Sequence, residues 1–321
     1  MRQIGIFSSP EDDHGELVEA ELERRGLPYH RFDRPDFSSD HLAAAISNDN
    51  PWEISYSGQK DLRLDQFRSI WYRRPSKFRF PDGMTREHRA FAEGEARSGF
   101  GGLLRSLPCL WVNNPDANAA AEWKPRQLEV ARRVGLTIPR TIITNDVTEA
   151  LSFVEELEGC GGKVIYKTLL QPSLSSPSGP QIIYTSLVTA EQVKNNAEAI
   201  AATANLFQEF IPKKFDVRMT CFGKQVFATA IHSGSKDAWV DFRADYGALR
   251  YEAHQLPSEV EQACLRLMDA FQLQFAAIDL VANQDGYTFL EINPNGQWGW
   301  LEEATGQPMV EALVDLLDSV E

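Results

Sequence analysis

Apolar and polar positions in the first third of the chain follow two periods in turn. Residues 2–8 (RQIGIFS) form a short apolar run of strand length, and residues 15–25 carry apolar positions at helical spacing that stop at Gly26. Further strands are expected over Pro28–Asp33, over Ser69–Arg74 (SIWYRR) and over Cys109–Asn113, the last reached through a long helical pattern at Thr85–Leu107. Strands that alternate with helices imply a mostly parallel sheet, so residues 1–115 are expected to form an α/β domain.

The middle of the chain repeats the scheme. Helical patterns near Trp123–Val134 and Val147–Glu158 precede strand patterns at Ile138–Thr144 and Lys163–Leu169. Then comes QPSLSSPSGP, Gln171–Pro180, which has no apolar period. Such a segment reads either as a surface loop or as a flap whose N–H groups and hydroxyls fold over phosphates. Its position after a strand that holds a lysine favours the flap. The last third is richer in strands, at Leu206–Ile211, Phe215–Cys221 and Gln225–His232. A helix is expected over Ser258–Leu273, with Ser258 and Glu261 at capping-box spacing, and another opened by Pro308.

The densest signal lies in FAAIDLVANQDGYTFLEINPNGQWG, Phe275–Gly299. It reads as a β-hairpin turning at Gln284-Asp285-Gly286. With a three-residue turn Asp279 faces Glu291, and Tyr287, Phe289, Glu291 and Asn293 share one face of the return strand. Two facing carboxylates in an apolar sheet repel and lose hydration. A hard cation between them turns both penalties into ligation, and Asn293 adds a neutral oxygen. The competing reading, incidental acids on a solvated strand, is weakened by the apolar residues that flank both.

Composition narrows the function classes. The 321 residues carry a formal net charge of −14, from 46 acidic and 32 basic side chains. So acidic a surface disfavours nucleic acid and anionic membranes as partners, and an acidic substrate would have to be held by local Arg and Lys. Four separated cysteines match neither a zinc site nor a redox pair, no apolar run approaches membrane-spanning length, and the acidic start is no signal peptide. The expected location is the cytoplasm, with access to ATP.

With the hairpin in view, the chain resembles the ATP-grasp superfamily, and more narrowly the ribosomal-peptide maturases that cross-link microviridin-type and related graspetide precursors. The narrow likeness rests on WYRRP (Trp71–Pro75), on NNPDANAAAEWKPRQLEVARRVGLTIPRTIIT (Asn113–Thr144) and on LEINPNGQW (Leu290–Trp298). The resemblance implies an α/β (α+β) ATP-grasp fold in three parts. These are an N-terminal α/β pre-ATP-grasp domain over 1–115, a central lid domain over 116–210 and a C-terminal mixed α+β domain with the metal site over 211–321. It implies ATP and Mg²⁺, the metal on Asp279, Glu291 and Asn293. It places Lys124 and Lys167 on the nucleotide phosphates, Gln208, Glu209, Phe210 and Ile211 around adenine and ribose, and Asp216 near the nucleotide. Arg218 and Arg243, with Lys236 beside them, would stabilise the transferred phosphoryl group. Read without the resemblance, Lys124 is a solvated helix residue, whereas Lys167 in an apolar strand already calls for an anionic partner. Arg73 and Arg74 admit three roles: anchoring a substrate carboxylate, docking a peptide, or bracing a domain interface.

The implied reaction is ATP-dependent phosphorylation of an Asp or Glu side chain of a precursor peptide, followed by attack of a hydroxyl or amine of the same peptide to close an ω-ester or ω-amide ring. The implied partner carries a leader and a core with acidic and hydroxyl residues, and the enzyme is expected to be a homodimer. An intermolecular glutamate ligase would share the same ATP site, and a nucleotide-binding regulator without turnover is the reading from another class.

Overall fold

The computed structural model describes residues 3–57, 61–170, 173–176, 179–235, 239–241 and 245–320. The α/β expectation holds for the first unit. Strands β1 (Gln3–Phe7), β2 (Tyr29–Phe32), β6 (Phe67–Tyr72) and β7 (Leu110–Val112) form a parallel sheet in the order β2-β1-β6-β7. Strand alternation divides β1 between two cores. Ile4 and Ile6 face α1 (Asp13–Arg25) and the C-terminal helix α10 (Met309–Asp318), whereas Phe7 faces α2 (Arg86–Arg105) through Phe100 and Leu104. Gly26 closes α1 in the left-handed region at φ 66°, a conformation that costs glycine no steric strain. A three-stranded antiparallel sheet, β3 (His41–Ala45), β4 (Glu53–Ser57) and β5 (Asp61–Arg63), lies between β2 and β6 in sequence and has no counterpart in the expected elements.

Two helices follow, α3 (Pro115–Ala121) and α4 (Lys124–Arg133). Although they lie within 116–210 or at its edge, their Ala117, Ala121, Leu128 and Ala131 pack into the core beneath the C-terminal sheet. The central sheet is antiparallel, in the order β12 (Ser186–Val188), β9 (Val164–Lys167), β13 (Asn205–Glu209), β8 (Thr141–Thr144). It packs on α5 (Val147–Gly159), α6 (Ala190–Asn195) and α7 (Ala197–Ala201) through Phe207, Val164, Val154 and Val193. Within the Ser/Pro/Gly stretch expected as a flap, β10 (Ser173–Ser176) pairs antiparallel with β11 (Gly179–Ile182), and Gln171, Pro172, Pro177 and Ser178 lie outside the described residues.

The C-terminal sheet has five antiparallel strands in the order β16 (Leu249–His254), β15 (Gln225–Ser233), β14 (Phe215–Phe222), β17 (Phe275–Ala282), β18 (Tyr287–Asn293). Helix α8 (Ser258–Phe271) covers one face with Cys264, Leu267, Met268 and Phe271. The expected capping box is absent: Pro257 is the N-cap, Ser258 already has helical geometry, and no side chain caps the first turn. Glu259 and Glu261 in that turn complement the helix dipole instead. Helices α9 (Gly299–Thr305) and α10 return the chain to the first domain, where Trp298, Leu301, Leu313 and Leu317 share a core with Ile4 and Trp71. Among the described residues no helix is long and apolar enough to cross a membrane.

Candidate active site

Alternation along β14 separates two chemistries. Val217, Met219 and Cys221 enter the core under α8, so Asp216, Arg218 and Thr220 point to the other face. Register then places Arg218 beside Asp279 on β17, and Asp279 beside Glu291 on β18. The facing acids read from the sequence are therefore present, but the turn differs. Ala282 pairs with Tyr287, which leaves four residues, Asn283–Gly286, in the connection. That register alone would bring Leu290 opposite Asp279. A bulge at Leu290 restores the Asp279–Glu291 pair. The bulge also separates the residues expected on one face: Phe289 and Tyr287 pack with the α8 core, while Glu291 and Asn293 turn towards a cavity.

The cavity, of about 250 Å³, lies between the central and C-terminal sheets. Lys167, Glu209, Phe210 and Ile211 line it from the central side, and Asp216, Arg218, Asp279, Glu291 and Asn293 from the other, with Lys124 at the edge. Arg218 donates from Nε and Nη2 to both oxygens of Asp279 at 2.8 Å, a bidentate pair. Its Nη1 donates to the Gln297 carbonyl at 3.3 Å, and its guanidinium lies 5.4 Å from the centre of the Trp300 ring. Lys124 Nζ donates to Glu291 Oε2 at 2.6 Å, so this helix residue has an anionic partner rather than a solvated end.

Two further groups, Lys213 and Asp241, border the site, and neither takes a role of its own from the sequence pattern. Lys213, in the PKK that follows β13, is buried and its Nζ donates to Asp216 Oδ2 at 2.5 Å. Burial pushes the Asp216 carboxyl up to about 6; Lys213 pulls it down, while Asp279 and Asp241 add to the rise. Asp241 is buried against the same cavity and accepts from the Thr185 N–H at 3.2 Å. Nothing in the sequence separates Lys213 from Lys214; the turn into β14 decides which one points inward.

Other expected residues sit elsewhere. Gln208 is 2% exposed, does not line the cavity, and donates through Nε2 to Thr141 Oγ1 at 2.9 Å. Lys236 and Arg243 lie outside the described residues. The geometry of Arg73 is that of an interface brace. It is 1% exposed, and its Nη1 donates to the carbonyls of Asn295 (2.5 Å) and Gly296 (3.0 Å) just after β18. Arg74 donates to the same Asn295 carbonyl at 3.0 Å and borders a second cavity of about 820 Å³ between α1 and α9. Asn113 completes the brace: its amide donates to the Phe275 and Pro294 carbonyls, and its Oδ1 accepts from the Gln274 and Phe275 N–H groups. The ends of the acidic hairpin are thus held by side chains of the first domain.

Residues 121–317, well over half of the chain, match the family model described as the RimK-like ATP-grasp domain, and residues 6–119 match the MvdD pre-ATP grasp domain. The macrocyclase MdnC of Microcystis aeruginosa MRC, solved with its precursor peptide MdnA, is 30% identical with a TM-score of 0.85 over 99% of both chains. The chain belongs to the ATP-grasp ligases of the ribosomal-peptide maturase family. This ligase also shares its fold, at TM-score 0.89 and 24% identity over 99% of its length and 97% of the other chain, with a RiPP-associated ATP-grasp ligase of Chryseobacterium gregarium in complex with ADP, leader and core peptide. Among curated relatives, tetrahydromethanopterin:alpha-L-glutamate ligase of Methanocaldococcus jannaschii is 23% identical over 216 residues, 64% of this chain and 68% of that one.

Among the described residues of the ligase no three His, Cys, Asp or Glu side chains converge as a ready-made metal cage. The Asp279–Glu291 pair still fits Mg²⁺, which is commonly held by one or two carboxylates and completed by substrate phosphates and water.

Proposed function

We propose that this ligase uses ATP to phosphorylate Asp or Glu side chains of a ribosomally made precursor peptide and closes ω-ester or ω-amide rings within that peptide. The observation that carries the reading is the row of Arg218, Asp279, Glu291 and Lys124 facing one cavity, in a chain matched over its whole length by a peptide macrocyclase. In this reading Phe210 and Ile211 cover the base, Lys167 and Lys124 bind phosphate oxygens, and Asp216 lies against the nucleotide. Asp279, Glu291 and Asn293 would hold Mg²⁺, which supplies charge neutralisation on the phosphates. Arg218, joined by Arg243, steadies the phosphoryl group as a substrate carboxylate oxygen attacks the γ-phosphorus and ADP leaves. A hydroxyl or amine of the same peptide then attacks the acyl carbon and phosphate leaves. The acyl phosphate is intrinsically reactive and its nucleophile is tethered, so positioning by the protein accounts for the second step. Overall likeness to ester-forming members favours the ω-ester.

The test is incubation with ATP and a leader-bearing peptide whose core holds Thr or Ser together with Asp or Glu. The expected product has lost one water per ring, in step with ADP release, and a leaderless peptide reacts more slowly. With free glutamate included in the same incubation, a product heavier by one glutamyl residue would favour the second reading, an intermolecular ligase like the M. jannaschii relative, and nucleotide binding without ADP release would overturn both.

A further inference from the structure

The groups that hold Arg218 in place lead back, through a short segment, to a residue of the first domain. Arg218 rests on the Gln297 carbonyl and the Trp300 ring. Between those two positions lie Trp298 and Gly299, and both of their N–H groups donate to a single atom, His14 Nε2, at 3.1 Å and 3.0 Å. We propose that His14 is a positioning residue for Arg218, setting from helix α1 the segment against which the guanidinium packs. The inference rests on the proposed role of Arg218 at the transferred phosphoryl group.

Three observations support it. A ring nitrogen that accepts two N–H groups carries no proton, so the single imidazole proton is on Nδ1, on the side where Asp12 Oδ1 lies 3.8 Å away. The contact is also built for close approach. The imidazole meets the fully buried Trp298 edge-on, with ring centres 4.9 Å apart. A Cβ on Gly299 would come within 3.3 Å of His14 Nε2 and 3.2 Å of Leu17 Cδ1, so a side chain there would force the histidine or the segment to give. Finally, burial, with Arg73 and Arg74 nearby, holds the His14 pKa down to about 3, which keeps the acceptor lone pair available at neutral pH.

His14→Leu removes the acceptor. His14→Gln keeps an oxygen acceptor near the Nε2 position, and Gly299→Ala displaces the contact from the other side. The first readout is the ¹⁵N–¹H signal of Arg218 Nε, assigned with Arg218→Lys. It should shift in His14→Leu and Gly299→Ala and return towards wild type in His14→Gln. The second is kinetic: at a temperature well below every variant's melting point, kcat should fall about tenfold in His14→Leu, as expected for slight misplacement of a reacting group. Mant-ADP affinity and the KM for ATP should stay within about twofold, because only the transition-state contact is lost. An unshifted Arg218 signal, a Gln variant no better than Leu, or loss of nucleotide affinity in parallel with kcat would overturn the inference. Should His14→Leu not fold, His14→Asn, whose acceptor cannot reach both N–H groups, takes its place with the same expectations. A shifted signal in a protein that modifies no peptide at all would leave the positioning role standing and remove the macrocyclase reading instead.

Discussion

Asp279→Asn and Glu291→Gln each remove one carboxylate charge from the same facing pair, yet their consequences for folding should differ sharply. Asp279 is 8% exposed and both of its oxygens are held by Arg218, itself 7% exposed. Breaking such a pair strands a buried charge at a cost of about 3–5 kcal/mol, and an Asn that still accepts one hydrogen bond belongs at the lower end. At roughly 1.5 °C per kcal/mol for a chain of 321 residues, Asp279→Asn should melt about 4–6 °C below wild type. Glu291 and Lys124 keep 25% and 23% of their side-chain surface in solvent, so their bond, though 2.6 Å long, is worth only about 0–1 kcal/mol, and Glu291→Gln should melt within about 2 °C of wild type. Glu291→Gln is therefore the clean probe of chemistry. If Glu291 helps to hold Mg²⁺ on the phosphates, its loss should lower ATP-dependent ring closure by about a hundredfold or more. The assay pairs thermal melts of both variants with ADP release and peptide mass. Turnover within a few-fold of wild type in Glu291→Gln would refute the metal assignment, and an unchanged melting point in Asp279→Asn would refute the energetic weight given to the buried pair.

Lys213→Met should cost about 3 kcal/mol in urea unfolding, because it leaves the buried Asp216 without its cation, and adding Asp216→Leu should recover much of that loss. Lowering the pH should expose the His14 contact in stability measurements. Its pKa is near 6.5 unfolded but about 3 folded, so the unfolded chain binds the extra proton between those values and the stability His14 contributes at neutral pH declines as pH falls through that window. The matched comparison is His14→Gln, whose stability-versus-pH slope there should be less steep by up to about 1.4 kcal/mol per pH unit; identical slopes would count against a neutral buried His14. Gly296→Ala would place a Cβ 2.3 Å from that of Ala277, and chemical denaturation should register a loss of about 1–3 kcal/mol, partly reversed by Ala277→Gly.

Much of the architecture could be read locally, because strand and helix periods are properties of adjacent residues. The parallel first sheet, the α8 helix and the acidic hairpin all announced themselves in that way, and Asp279 and Glu291 stood out because a charge within an apolar alternation has a cost that needs a partner. The β3–β5 sheet was missed because its strands are only three to five residues long and β3 is mostly exposed, although Ile54 of β4 and Leu62 of β5 are buried. The capping-box reading of α8 failed because Pro257 takes the cap position and Ser258 falls inside the helix.

What the chain determined by itself, then, was which residues need an unusual environment: two facing acids, a lysine in an apolar strand, an arginine pair ahead of a proline. Which groups meet those needs was decided by tertiary structure. Arg218 reaches Asp279 across 61 positions, Lys124 reaches Glu291 across 167, and His14 caps a segment 284 positions away. Such pairings depend on strand register, on a one-residue bulge at Leu290 and on the packing of the first domain against the last, and none of these leaves a period in the sequence.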